Sequence, residues 1–470
     1  MIKDRLLARK TKGIALLLVF FSLSLSIRTY GQSDIRNITA MEVTEEMEVG
    51  WNLGNSFDVI SRDKTAWGNP LPSKPIIDAV RAQGFKTLRI PITWAFHMGE
   101  APDYTVEEEY LDRVEEVVNY GLNNDMYVII NTHHDEWIEP TFAQEEEVSD
   151  RLAKLWTQIA NRFKDYNDFL IFETLNEPRL RNTPVEWIGN DEGRTLVNTY
   201  NQVSVDAIRA TGGNNAERFL MIPTYAANTI PGSFDELVIP NNDPKIIVSI
   251  HTYFPFQFTL EQPGTASWGT AQELADLDAE LDKVRSFFVA QGQAVVLGEW
   301  GTINKNNVST RIDYTIEYVS RAKEKGLTTV VWDDGGNLQL YDRHGLRWTN
   351  DGQRIVDAII QVVREGEGNL VTSTETGLEK EDNTNLNVYK SDGKLMLQYN
   401  LKENHTLNFR IIDTLGKTVK IIKNNELTTA GNHEFSWNGT SDSGASLPRG
   451  VYTAILQSES WRRTKKFVLD

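Results

Sequence analysis

The chain has 470 residues, more than one hydrophobic core usually serves, so a further domain is expected beside the main one. A formal net charge of -18 argues against a basic footprint for phosphate and hence against nucleic acid as a partner, whereas it suits solubility or action on neutral polymers. With no cysteine, the chain cannot use disulfides, thiolate metal sites or lipid attachment through an N-terminal cysteine.

A basic stretch from Lys3 to Lys12 precedes the apolar run Ile14 to Ile27, and the small residues Thr29 and Gly31 stand before Gln32, where a signal peptidase would cut. The run is too short to span a membrane comfortably. Residues 1–31 therefore read as a signal peptide, and the protein as secreted or held at the cell surface, with no transmembrane span. From about Glu42 to Arg364, short apolar runs alternate with longer amphipathic ones. The strand candidates are EVGWNLG, TLRIPI, YVIINTHH, FLIFETLNE, FLMIPT, IIVSIHTY, AVVLGEW and TTVVWDDGG. Segments of helical period lie between them, among them Leu111–Leu122, Val148–Phe163, Ala271–Ala290 and Thr310–Lys325. Strands separated by helices in this way predict an α/β fold, a closed parallel (β/α)8 TIM barrel over residues 32–365, rather than an open doubly wound sheet. GWNLGN lacks the glycine spacing of a dinucleotide fingerprint and no Gly-Lys-Ser/Thr is present, so nucleotide chemistry is not expected.

Composition changes after Arg364. Residues 366–385 are polar and poor in large apolar side chains, as a linker should be. Residues 386–470 carry alternating runs (KLMLQYN, TLNFRIID, GKTVKII, NHEFSWNG, GVYTAILQS, KKFVLD) broken by glycine and asparagine turns, which predict a small C-terminal β-sandwich. From Glu381 onward 12 Lys/Arg face 10 Asp/Glu, a net of +2, so the rest of the chain must carry -20 to reach -18.

Chemistry collects at the ends of the barrel strands. Arg89 closes LRIP, His133 closes VIINTHH, Asn176 and Glu177 follow FETL, His251 and Tyr253 close VSIHTY, Glu299 closes VVLGEW, and Trp332 closes TVVW. Each could be structural taken singly, but one rim of a barrel is where catalytic groups gather and the opposite end is where stability is built. Two carboxylates, Glu177 and Glu299, are the minimum equipment for cleaving a glycosidic bond.

This constellation resembles glycoside hydrolase family 5, and GWNLGNSFD, AWGNP, INTHHDEW, FETLNEPR, MIPTYAAN and GEWG are most similar to its subfamily 4 of endo-β-1,4-glucanases, which includes cellulases, xyloglucanases and some xylanases. The resemblance implies a retaining enzyme with Glu177 as acid/base and Glu299 as nucleophile, supported by Asn52, Arg89, His133, Asn176, His251, Tyr253 and Trp332, and needing no cofactor or metal. Retention requires Glu299 ionised, with Arg89 and Tyr253 lowering its pKa, and Glu177 protonated, with its pKa raised by the neighbouring charge. Asn176 would bond the sugar 2-hydroxyl and Trp332 would offer the sugar a flat face. WDDGG departs from the more usual WDNG, which would alter a hydrogen bond near Trp332.

A long β-glucan needs several such faces, so some of Trp51, Trp67, Trp94, Trp137, Trp268, Trp300 and Tyr225 should be sugar platforms, with Trp67 and Trp137 in polar loops the better candidates. His133 and His134, taken as adjacent strand residues, should diverge, His134 packing on the opposite face, which disfavours a metal reading of HHDE. A β-xylanase or β-mannanase on the same barrel is the alternative within the enzyme class. A non-catalytic carbohydrate-binding surface protein is the alternative outside it, although a decayed enzyme typically loses one carboxylate. The C-terminal pattern (IIDTLGKTV, WNGTSDSGASLPRGVYTAIL, KKFVLD) resembles type IX secretion sorting domains and FlgD-like immunoglobulin folds, with NLNVYKSDGK in place of the usual YPNP opening. The resemblance implies type IX secretion machinery as a partner. A cellulose-binding module, stacking sugars on Trp437 and Trp461, is the competing reading.

Overall fold

The computed structural model describes residues 35–230, 232–364, 386–391, 394–413, 418–442, 444–458 and 461–469. The expected signal peptide and linker lie outside the described residues.

Eight parallel strands close into a barrel in sequence order: β1 (Val49–Leu53), β2 (Thr87–Ile90), β3 (Tyr127–Asn131), β4 (Leu170–Glu173), β5 (Leu220–Pro223), β6 (Ile246–His251), β7 (Val295–Trp300) and β8 (Thr328–Asp333). All are buried along their length, as continuous apolar runs covered by helices must be. The short helix α1 (Ala40–Met47), opened by a capping box between Thr39 and Glu42, carries Ala40, Val43 and Met47 into contact with Ile129, Ile171, Met221, Ile247, Val296 and Val330, closing the N-terminal end of the barrel. Around it run α2 (Lys74–Gln83), α3 (Glu108–Leu122), α4 (Glu145–Arg162), α5 (Asp191–Ala210), the single turn α6 (Phe256–Thr259), α7 (Ala271–Phe287), α8 (Val308–Glu324) and α9 (Asn350–Arg364). Both α3 and α4 begin three residues before the apolar periodicity does. Glu108 and Glu109 in one, and Glu145, Glu146 and Glu147 in the other, favour the positive end of the helix dipole. A small hairpin, β9 (Tyr341–Asp342) with β10 (Arg347–Trp348), sits between β8 and α9.

The C-terminal strands form two antiparallel sheets. One is ordered β11 (Leu386–Ser391), β12 (Lys394–Leu401), β15 (Gly431–Trp437); the other β14 (Thr418–Thr428), β13 (His405–Ile412), β16 (Gly450–Gln457), β17 (Arg462–Leu469). Leu397, Tyr399, Leu407, Phe409, Ile411, Trp437, Ala454, Leu456 and Trp461 fill the space between them. β11 is the strand that the sequence reading missed, because its alternation is short: only Leu386 and Val388 reach the core before the run turns polar.

Candidate active site

Strand register assembles the site. Asn52 of β1 stands beside Arg89 of β2 and Trp332 of β8, Asn131 of β3 beside Glu173 of β4, and His251 of β6 beside Glu299 of β7. Register shifts at Ile250/His251 and between Leu297 and Trp300 mark irregularities that re-aim the last residues of β6 and β7. Gly298 lies in this irregular stretch, where a Cβ would sit 3.2 Å from both His251 Nε2 and Ser249 Oγ. A small residue is therefore needed beside the imidazole.

Arg89 is fully buried at the centre. Its Nη1 donates to Glu299 Oε1 at 2.8 Å and Asn52 Oδ1 at 3.0 Å, its Nη2 to Asn176 Oδ1 at 2.8 Å, and its Nε to Glu173 Oε2 at 2.8 Å. Because Asn176 Oδ1 is held by Arg89, the amide nitrogen is its remaining donor for a ligand. Glu173 also accepts from Asn131 Nδ2 at 2.9 Å and Ser249 Oγ at 2.6 Å. The second oxygen of Glu299 accepts from the Tyr253 hydroxyl at 3.1 Å.

Glu177 lies across from this group. Its Oε1 is 2.8 Å from His251 Nδ1, and its Oε2 accepts from Arg179 Nη1 at 3.1 Å. His251 Nδ1 is also 3.6 Å from Glu299 Oε1, so the imidazole bridges the two carboxyls. A carboxyl oxygen of each glutamate and a ring nitrogen of His251 all fall within 4.8 Å of one another.

The electrostatics reverse the sequence expectation. Burial pushes the Glu299 carboxyl above its ordinary value, with the charge of Glu177 adding to the rise, and His251 and Arg89 only partly offset this. Burial also raises Glu177, but the hydrogen bond and charge of His251, with Arg179, outweigh it and hold Glu177 below the ordinary value. Burial opposes the His251 imidazolium, yet Glu299 first and Glu177 second more than compensate, so its pKa is raised. The physical reason is that the cation nearest Glu177 is His251, which the resemblance places near the acid/base but whose charge the expectation did not weigh against that of Glu299. The lowered Glu177 and the raised His251, joined by a hydrogen bond, together favour a shared proton on the imidazole side. His133 is held well below the imidazole value by burial and then by His134 and Arg89, and is neutral.

Aromatic residues divide sharply. Trp332 is stacked parallel to the His133 ring, with centroids 5.7 Å apart, at the floor of the site. Trp67 is 41% exposed and meets the edge of His134. Trp137 is half-buried, with the Arg151 guanidinium 4.2 Å over its ring and Nε1 donating to Asp135 at 3.3 Å. Trp51, Trp94, Trp268, Trp300 and Tyr225 are buried and pack the core, so they are not platforms: helices and loops close over the rim positions they occupy. Trp187, which the sequence reading passed over, is 51% exposed after β4.

One further expectation needs correction. His133 and His134 do not diverge: their rings meet edge to face at 4.4 Å, because β3 ends at Asn131 and the alternation of a strand no longer governs them. Both lie near Asp58, with potential ligand atoms within 4.8 Å, though the Asp58 carboxyl already accepts from the backbone N–H groups of Asn55 and Ser56. Asp334, the departing residue of WDDGG, accepts from the Gly336 N–H at 2.7 Å and the Leu338 N–H at 3.0 Å, while Asp333 before it is buried and accepts from Trp51 Nε1 at 3.1 Å and the Tyr341 N–H at 2.8 Å. Glu173, Asn131, Ser249 and Arg179 were missed. For Glu173 the signal was present: a lone carboxylate inside a buried strand needs a buried cation.

A family model described as cellulase, glycosyl hydrolase family 5, matches residues 46–337, and a FlgD Ig-like domain model matches residues 383–460. Endoglucanase B of Clostridium cellulovorans is 45% identical over 359 residues, 74% of this chain and 80% of that protein. A family 5, subfamily 4 broad specificity endoglucanase of Clostridium acetobutylicum superposes with a TM-score of 0.68 at 46% identity, covering 69% of this chain and 100% of its own. Its counterpart from Ruminococcus champanellensis, solved with bound cellotriose, gives a TM-score of 0.68 at 40% identity over 70% of this chain and 100% of its own. With its barrel matched in sequence and in structure, the chain belongs to glycosyl hydrolase family 5, the cellulase family, and is a glycoside hydrolase.

Proposed function

We propose that the protein is a secreted, retaining endo-β-1,4-glucanase in which Glu299 attacks the anomeric carbon and Glu177 serves as general acid and then base. One observation carries this reading: the half-buried Glu177, four residues beyond β4, and the buried Glu299 of β7 have carboxyl oxygens within 4.8 Å of each other, with His251 bridging them. That spacing suits the ~5–5.5 Å of a double displacement and leaves no room for the water an inverting pair must hold. Arg89 and Tyr253 donate to Glu299 and favour the anion that attacks. The proton stored on His251 is one hydrogen bond from Glu177 and becomes available to the leaving oxygen through it. Once Glu299 is esterified its charge is gone, and with it the largest stabiliser of the imidazolium, so the Glu177–His251 unit is ready to take a proton from water.

The donor left on Asn176 suits an equatorial 2-hydroxyl, as in glucose or xylose, and the axial hydroxyl of mannose would need a rearranged site. Trp332 with His133 as floor and the exposed Trp67 and Trp187 support a cleft that reads several sugars, hence internal cutting. Retention is checked by NMR of the first anomer released. The roles are checked by Glu299→Ala and Glu177→Ala on an activated aryl cellobioside, which should form the glycosyl-enzyme in the second variant alone. An inverted first product, or the opposite pattern, defeats the assignment.

For the C-terminal sandwich we propose a role in export and surface sorting through type IX secretion machinery, supported by its FlgD-like match. Trp437 and Trp461 are buried in its core, which counts against a flat sugar platform. Deleting everything after Thr376 should spare hydrolysis of soluble substrate and stop export in the natural host. Normal export with lost binding to insoluble cellulose would reverse this reading.

A further inference from the structure

The segment that follows β4 carries a constellation that the chemistry above leaves unused. Arg179 Nη1 donates both to the main-chain oxygen of Glu177 at 2.9 Å and to its Oε2 at 3.1 Å, tying the carboxyl to its own backbone. Its Nε donates to Glu186 Oε1 at 3.1 Å, and its guanidinium lies 4.4 Å over the indole of Trp187. We infer that Arg179 is a positioning residue for Glu177, held in place by Glu186 and Trp187 on the leaving-group side of the site. The inference rests on the reading of Glu177 as acid/base.

Geometry gives Glu177 two distinct sides. Its Oε1 faces His251 and through it Glu299, while Oε2 faces Arg179, so the arginine governs the oxygen turned away from the nucleophile. A carboxyl has a soft terminal torsion, and a donor fixed at both the backbone and one oxygen removes that freedom. The fixing is credible because the donor itself is immobilised. Glu186 Oε2 accepts from the Asn182 N–H at 3.0 Å, its main-chain oxygen accepts from the Tyr225 hydroxyl at 2.9 Å, and Tyr225 in turn accepts from the Leu180 N–H at 2.9 Å. Asn228 Nδ2 donates to the Trp187 carbonyl at 2.6 Å. Gly193 and Gly189 admit the Tyr225 ring, where a Cβ would lie 2.8 Å and 3.2 Å away. The loop is thus stapled by Tyr225 and Asn228 independently of Arg179, and replacing the arginine should free Glu177 without unfolding its surroundings.

Charge is apportioned as well. Arg179 is shared between Glu177 and Glu186, so it orients the acid while only part of its field opposes protonation. Trp187, half exposed and stacked on Arg179, offers an open face to the departing part of a glucan.

The test compares Arg179→Met, Arg179→Lys and Glu177→Ala, each with its thermal midpoint. Substrates are soluble mixed-linkage glucan, whose leaving group needs an acid, and 2,4-dinitrophenyl β-cellobioside, whose leaving group does not. Arg179→Met should lose about tenfold in kcat/KM on glucan, stay within about twofold in glycosylation by the aryl glycoside, and move the basic limb of its pH profile up by about half to one unit. Arg179→Lys should restore the limb by returning the charge, yet recover only part of the glucan activity because it lacks the planar fork. If Glu177→Ala shows no such dependence on leaving group, the acid assignment itself fails. If Glu177→Ala shows it while a folded Arg179→Met changes neither the limb nor the substrate ratio, the positioning role alone is overturned.

Discussion

Replacing His251 with asparagine tests the proton unit at the centre of the proposed mechanism. The asparagine amide nitrogen can occupy the place of Nδ1 and keep a neutral donor to Glu177, and His251 Nε2 is buried without a hydrogen-bond partner, so no second bond is lost. What disappears is the charge. A unit charge at the 3.6 Å separating His251 Nδ1 from Glu299 Oε1 is worth roughly 4–5 kcal/mol at an effective dielectric of about 20, an upper bound. Arg89 already neutralises that oxygen, so His251 should account for about 1–2 pH units. The signs differ for the two limbs. Glu299 loses a stabilising cation, so its pKa and the acidic limb of kcat/KM rise. The proton of the Glu177–His251 unit rests on an imidazole whose pKa is raised above 6.5; in the variant it must sit on a carboxyl, so the basic limb falls. The bell should therefore narrow from both sides. Initial rates on soluble mixed-linkage glucan across the pH range, with thermal midpoints to confirm folding, measure this directly. A basic limb that stays in place or moves up would refute the assignment of the stored proton to His251.

Gly54→Ala should raise KM on glucan about tenfold with a smaller change in kcat, because the new Cβ would lie 2.6 Å from Trp332 Cζ2 and 2.8 Å from Cε2, pushing the ring off its stack with His133. Steady-state kinetics at saturating and limiting glucan separate the two parameters, and an unchanged KM would mean that Trp332 is not a sugar contact. Asp135 accepts from the N–H groups of Trp94 and Ala95, and burial pushes its carboxyl up from 3.8 to about 6. The folded state binds that proton more tightly than the unfolded one, so this contribution is whole below pH 4 and lost as pH rises through 6, about 3 kcal/mol in all. Asp135→Asn should flatten the fall in stability measured by denaturant titration between pH 4 and 6.5, and an unaltered slope would contradict the raised value.

The barrel was readable because each strand ends an apolar run and each helix repeats at its own period, two signals that survive without tertiary information. Glu177 and Glu299 were readable for the same reason: a carboxylate closing a buried run has few structural uses. His134 was misplaced because strand alternation was carried three residues beyond Asn131, where the chain has already turned. Trp51, Trp94 and Trp300 stood among the candidate platforms because a rim position is exposed or buried according to what folds over it, and Asp333 and Tyr318 lie too far along the chain for local pattern to show their contact with Trp51 and Trp300. The pKa order failed for a related reason. Residue types announced Arg89 and Tyr253, and the resemblance put His251 near the acid/base, but only the fold shows that Arg179 joins it on the same carboxyl.

Arg89 explains how two strands on opposite sides of the mouth keep their carboxyls in register. The guanidinium holds Glu299 of β7 with one nitrogen and Glu173 of β4 with another, and Glu173 stands four residues before Glu177 on the same stretch of chain. Each anion is answered by a hydrogen-bonded cation, so the buried charges are tolerable, but an apolar core of equal volume would be no less stable. The arrangement is better understood as geometry than as stability. Asn52, Asn131, Asn176 and Ser249 satisfy the remaining donors and acceptors and remove the freedom of Arg89 and Glu173 to reorient. Their dipoles are in place before substrate arrives, and no reorganisation has to accompany the charge that develops during the reaction.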